Sequence, residues 1–118
     1  MVLSRDSSAW RRNVRRIAGR EIIFDRDGYI QNPFMWSEEV ARTLAREEGL
    51  EALSEAHWRV LRFVRNYYLE EGKEPMNHRI KLGTGMSIKE IERLFPEGIN
   101  RGVKRLAGLP KPKGCAAG

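Results

Sequence analysis

The sequence predicts a mostly helical α+β domain: a compact array of about five helices with a small N-terminal antiparallel β-hairpin and a flexible C-terminal arm. Three observations carry that prediction. Serines stand at three helix starts, Ser37, Ser54 and Ser87, each ahead of a stretch with apolar residues at helical spacing. Two β-prone runs, residues 21–24 and 29–31, flank the turn Asp25-Arg26-Asp27-Gly28. Pro110 and Pro112 remove two backbone donors and disfavour helix for the residues before them, so the C-terminal stretch leaves the helical pattern. A chain of 118 residues with 41% apolar content buries one core, not two.

Taken in order, the first stretch spaces Trp10, Val14 and Ile17 at i, i+4, i+7. That is one face of a helical turn or two, with Arg11, Arg12, Arg15 and Arg16 on the others; the competing reading is a frayed, solvated terminus. The Asp25–Gly28 turn is no calcium loop, because it lacks a third ligand before its glycine and has Trp36 where an EF-hand needs Glu. Ser37 caps a helix over residues 38–48, with Glu38 and Glu39 at its positive end and Gly49 as its stop. Ser54 caps the longest helix, residues 55–71, with Leu53 and Trp58 as a hydrophobic staple and Gly72 beyond its end. Val60, Leu61, Phe63, Val64, Tyr67 and Tyr68 form its core face, and Arg59, Arg62, Arg65 and Asn66 a solvated one.

Pro75 suits the first turn of a short helix, residues 76–82, that ends at Gly83 or Gly85. Ser87 and Glu90 make a capping box for a helix that Pro96 ends. A last helix, residues 99–107, places Ile99, Val103 and Leu106 inward and Arg101, Lys104 and Arg105 outward, with Gly108 as its C-cap.

The net charge of +6 is distributed unevenly. Residues 1–20 carry +5, residues 21–74 carry −5 and residues 75–118 carry +6. Basic ends around an acidic middle suit nucleic acid or an acidic protein partner, and composition does not separate them. The first residues show no apolar signal-peptide core and no stretch is apolar enough to span a membrane, so the expected compartment is cytoplasmic. A single cysteine cannot form an intramolecular disulfide and fits a reducing compartment.

Few constellations carry chemistry. His57 and His78 fall on different helices with no Cys or Asp at ligand spacing, so no metal site is expected, and no cofactor-binding loop or nucleophile elbow is present. Residues 77–95 fit a helix-turn-helix outline, but its second helix offers Glu90 and Glu92 beside Lys89 and Arg93, a face that phosphate would partly repel. The remaining candidate is Cys115, at the end of an arm formed by Gly108, Leu109, Pro110, Lys111, Pro112, Lys113 and Gly114. A Pro-rich, glycine-bracketed segment is extended at roughly 3 Å per residue, which lets the thiol stand about 20 Å from its helix. Lys111 and Lys113 favour thiolate over thiol, and a thiolate on a tether can accept sulfur and carry it as a persulfide.

At these residues the sequence resembles the C-terminal signature of the DsrC/TusE family, the gamma-subunit-like proteins of dissimilatory sulfite reductase. Leu94-Phe95-Pro96-Glu97-Gly98 precedes Gly108 to Cys115, and further blocks follow the family's order: Asp27-Gly28-Tyr29, Trp36 to Ala41, His57 to Arg65 and Thr84 to Glu90. The resemblance covers residues 21–115. It implies a helical array with a small N-terminal β-meander and an arm whose cysteine binds sulfur as a sulfurtransferase-type carrier, a protein co-substrate rather than a free-standing catalyst. Implied partners are sulfur donors and acceptors: a sulfurtransferase, a TusBCD/DsrEFH-like complex, a sulfite reductase or a transfer-RNA thiolase.

Two departures narrow the resemblance. Family members coupled to sulfite reductase carry a second arm cysteine where this sequence has Lys104, which makes the chain similar to the single-cysteine, TusE-type relays. Their cysteine is usually penultimate, whereas Ala116-Ala117-Gly118 follow it here. The expected organisation is a basic segment (residues 1–20), a helical domain (21–108) and the cysteine arm (109–118). Alternative readings are a nucleic-acid-binding regulator, using the helix-turn-helix-like segment with Arg11, Arg12, Arg15 and Arg16, or a non-transferring subunit of a sulfite reductase-type complex.

Overall fold

A computed structural model describes residues 13–112. In chain order the elements are strands β1 (Val14–Ile17) and β2 (Arg20–Ile23), a 3-10 turn (Pro33–Met35), helices α1 (Glu38–Glu47), α2 (Glu55–Glu71), α3 (Asn77–Thr84) and α4 (Ile88–Leu94), and a wide-turned π-helix, α5 (Ile99–Lys104). The mostly helical class and the small N-terminal antiparallel sheet are those the sequence predicts. No helix among the described residues is long and apolar enough to cross a membrane.

The sheet corrects the helical reading at Val14–Ile17; Trp10, Arg11 and Arg12 of that reading lie outside the described residues. Val14–Ile17 pairs antiparallel with Arg20–Ile23, Val14 opposite Ile23 and Ile17 opposite Arg20. The two-residue link, Ala18 (φ 54°) and Gly19 (φ 78°), has both residues in the left-handed region. That geometry matches the twist of paired strands and closes a tight hairpin. The three-residue apolar spacing was too short to fix a helix; burial of Ile17 and Ile22 against the core decides for strands. The hairpin expected between residues 21–24 and 29–31 survives as one bridge, Phe24 to Ile30. Around it the Asp25 N–H donates to Tyr29 O (2.7 Å) and the Gln31 N–H to Ile23 O (3.0 Å), so the chain runs as a small meander.

The helix starts follow their caps. Ser37 Oγ accepts from Val40 N–H, and Ser87 and Glu90 form the expected reciprocal box, at 3.1 and 2.8 Å. The Ser87 bonds hold the Glu90 carboxyl below its usual pKa. At α2 the partner in the box is His57. Ser54 N–H donates to His57 Nδ1 (3.0 Å), which leaves Nε2–H to donate to Leu94 O (2.8 Å), and the ring stands edge-on to Phe95. His57 is therefore a strut between two helices. The core gathers Val40, Ala41 and Leu44 of α1, Val60, Leu61 and Val64 of α2, and Ile80, Ile91, Phe95, Val103 and Leu106 from the elements that follow.

α5 departs from the predicted wheel. Ile99, Val103 and Leu106 face inward as expected, but Lys104, expected outward, is only 6% exposed. A π-helix holds more residues per turn than 3.6, so a position drawn outside on an α-helical wheel rotates inward. Arg105 is likewise drawn in, bonded to Glu48 and to the carbonyl of Gly28.

Candidate functional site

The arm begins at a helix end closed in a Schellman motif. Gly108 N–H donates to Arg105 O (3.2 Å) and Leu109 N–H to Lys104 O (3.1 Å), with Gly108 at φ 80°. Such an end needs a residue free to take positive φ and puts an apolar side chain just after it, and Leu109 is buried to 1% exposure. Gly108 is required for a second reason. A Cβ there would lie 2.3 Å from Trp36 Cδ1 and 2.8 Å from Arg65 Nη1.

Those two side chains form a clamp on the arm root. Trp36 Nε1 donates to Leu106 O at 2.7 Å. Arg65 donates through Nη1 to Ala107 O (3.1 Å) and through Nη2 to Pro33 O (2.9 Å), while its guanidinium lies 4.3 Å from the Trp36 ring centroid. One planar cation thus ties α2, the 3-10 turn and the end of the last helix together. Burial pulls the Arg65 pKa down from its ordinary value. Arg65 is not the solvated residue expected of that face, because the arm root packs over it; Arg59 and Arg62 do stay exposed.

Past the clamp, the described part of the arm lies on the body. Pro112 is buried, and Lys111 Nζ reaches Asp27 Oδ2 at 2.6 Å. Lys111 holds the Asp27 carboxyl below the usual carboxylate range. The turn that presents Asp27 is fixed from within, since Asp25 Oδ1 accepts from both Asp27 N–H and Tyr29 N–H at 2.9 Å. It is fixed from outside by Arg105, whose Nε donates to Gly28 O (3.0 Å) and whose Nη1 pairs with Glu48 Oε2 (2.6 Å). Burial raises the Glu48 pKa, with Arg105 opposing the rise.

Of the residues singled out from sequence, Gly108, Leu109, Pro110, Lys111 and Pro112 are thus brought together against the body. Lys113, Gly114 and Cys115, with Arg11 and Arg12, lie outside the described residues. Arg15 pairs with Glu47 and lies 5.4 Å from the Phe24 ring centroid; Arg16 Nη1 donates to Gly19 O at 3.0 Å. Sequence reasoning missed the clamp residues Trp36 and Arg65, the Asp27 latch and Arg105 as functional groups. A signal was present for three of them: Asp27, Trp36 and Arg65 all fall in the blocks that resemble the family.

The family model for DsrC-like proteins matches residues 16–116. The sulfurtransferase TusE homolog of Haemophilus influenzae is 39% identical, covering 84% of this chain and 96% of that protein. The gamma subunit of dissimilatory-type sulfite reductase of Nitratidesulfovibrio vulgaris is 34% identical, covering 82% and 92%. The crystal structure of dissimilatory sulfite reductase I (DsrI) superposes with a TM-score of 0.82 at 36% identity, covering 86% of this chain and 98% of that one. The chain belongs to the DsrC/TusE family.

Proposed function

We propose that this protein is a single-thiol sulfur carrier in which Cys115 accepts a sulfur atom from a donor protein and hands it to an acceptor. The observation that carries the reading is the arm root: the chain is clamped at Gly108 by Trp36 and Arg65 and runs along the body to Pro112, three residues before the only cysteine. A fixed root with a thiol beyond it suits delivery of a group into another protein's site. Relatives named as sulfurtransferases and as a sulfite reductase subunit support sulfur as that group.

The step is thiol–persulfide exchange. The Cys115 thiolate attacks the outer sulfur of the donor's persulfide, the donor's S–S bond breaks, and the donor thiol leaves with the electron pair and takes up a proton. The product is a Cys115 persulfide, with no net oxidation. Because the sequence holds one cysteine, the sulfur leaves only by transfer to an acceptor, not by closing an internal disulfide. The carrier works in the cytoplasm, where a lone thiol stays reduced, and its acceptor is a sulfur-metabolism enzyme or a transfer-RNA thiolase.

Incubation with a persulfidated sulfurtransferase, followed by intact mass measurement, tests the reading. A gain of one sulfur atom that disappears in Cys115→Ser is expected; no gain, or equal gain in Cys115→Ser, overturns it. The nucleic-acid reading has one feature in its favour, the α3–Gly85–α4 helix-turn-helix outline with Arg79 and Lys81 exposed. Glu90 and Glu92 are exposed on its second helix, which weakens that face for phosphate. Salt-dependent RNA or DNA binding that persists in Cys115→Ser would favour it.

A further inference from the structure

Arginines and tryptophans alternate along the seam between α1 and α2. Arg65 stands 4.3 Å from the Trp36 ring centroid at the arm root, and Arg42 and Arg62 each stand 5.4 Å from that of Trp58. Glu38, two residues after Trp36, joins the two stacks, because its carboxylate pairs with Arg42 (3.3 Å) and Arg62 (3.8 Å). Glu38, Arg42 and Arg46 follow at four-residue steps and so share one face of α1. The seam therefore runs from the arm root, past Trp58, to Arg46.

There the chain encloses a cavity of about 270 Å³ whose lining includes the apolar Leu50, Leu53 and Trp58 together with Arg42, Arg46 and Glu51. Small-molecule sites begin at about 300 Å³, so this one suits a single large side chain. Two cations against one carboxylate favour an anion beside that side chain. Arg46 is exposed, and among the described residues its side chain makes no ion pair or hydrogen bond. Arg42 pairs only with Glu38 and with Glu39 (3.0 Å), and all three side chains are more than two-fifths exposed. Such surface pairs contribute little and exchange readily for an incoming carboxylate.

We infer that this seam is a docking surface for an acidic protein segment that carries one apolar anchor. The anchor enters the cavity against Leu50, Leu53 and Trp58, and carboxylates on either side of it meet Arg42, Arg46 and Arg62. Tryptophan and arginine are the side chains that most often dominate such contacts. A nucleic acid strand fits less well, because a base needs an open aromatic face, whereas Trp58 is 8% exposed with guanidiniums already over its ring. The inference rests on the carrier reading only for naming the partner as a sulfur donor or acceptor. A segment seated here lies beside the arm root, so the same partner reaches the arm.

Titration of the full chain with the capped peptide Glu-Glu-Leu-Glu-Glu, followed by NMR, tests the surface. Saturating, salt-sensitive shifts are expected at the Trp58 indole N–H and the Leu50 and Leu53 amides. They should weaken when serine replaces the peptide's leucine, and about tenfold in the double variant Arg42→Gln, Arg46→Gln. Should that variant not fold, Arg46→Glu, at a side chain without contacts in the fold, is expected to weaken binding as well. The inference is overturned by the absence of saturating shifts, by equal shifts at the exposed Arg79 and Lys81 of α3, or by an oligouridylate that binds the seam more tightly than the peptide. Sulfur uptake without peptide binding would sink this inference alone, and peptide binding without sulfur uptake would sink the carrier reading alone.

Discussion

Gly108 and Lys111 stand three residues apart and are held by opposite kinds of interaction. Gly108 lies under an indole and a guanidinium that leave no room for a methyl group, with the two carbonyls just before it, Leu106 O and Ala107 O, taken by Trp36 and Arg65. Lys111 lies in water, gripped by an ion pair with the partly exposed Asp27. Dense packing and buried hydrogen bonds are insensitive to salt, while an exposed ion pair is screened by it. The arm therefore has a root that does not move without unfolding its surroundings and an outer contact that can be exchanged for a partner's groups. A carrier needs both.

The contrast is most strongly broken at the root. Gly108→Ala must place a Cβ against Trp36 in a backbone conformation that disfavours one, and a loss of roughly 2–4 kcal/mol is expected in urea denaturation. Arg65→Lys keeps the charge but gives up the planar fork that reaches two carbonyls and stacks on Trp36. A loss of about 1–2 kcal/mol is expected, with faster amide exchange at Gly108 and Leu109.

The smallest effect belongs to the latch. Asp27→Asn is expected to leave the denaturation midpoint where it is and to speed amide exchange at Lys111 alone. Since Lys111 lowers the pKa of Asp27 in the folded protein, the latch is fully present above the ordinary carboxylate value. It is lost as pH falls through the lowered one. Wild type at that acid pH, or in high salt at neutral pH, should therefore exchange at Lys111 as Asp27→Asn does. Equal sensitivity of Gly108 and Lys111 to salt would erase the distinction between root and latch.

Much of this could be read in the chain. Ser37, Ser54 and Ser87 mark helix starts because a cap is a local hydrogen bond between residues two or three apart, and Gly72 and Gly108 mark ends because positive φ is a property of one residue. The arm residues and Cys115 stood out through Pro110 and Pro112 for the same reason. The strand at Val14–Ile17 did not, because its partner is chosen by burial of Ile17 and Ile22, which a helical spacing of three apolar residues imitates. Lys104 and Arg105 were misplaced because the outward positions of a helix depend on its residues per turn, and α5 is wound wide.

What the sequence by itself determined is therefore what short-range chemistry determines: five helices, their caps, the arm and its thiol, and the family signature written along them. Tertiary structure alone decided that Arg65 leaves the solvated face to grip Ala107 and Pro33, that Asp27 meets Lys111 across 84 positions of chain, and that Lys104, at the base of the arm, is buried. Each of those depends on which distant surfaces share a volume. Only the packing of the core against α2 and the Asp25–Gly28 turn settles that question.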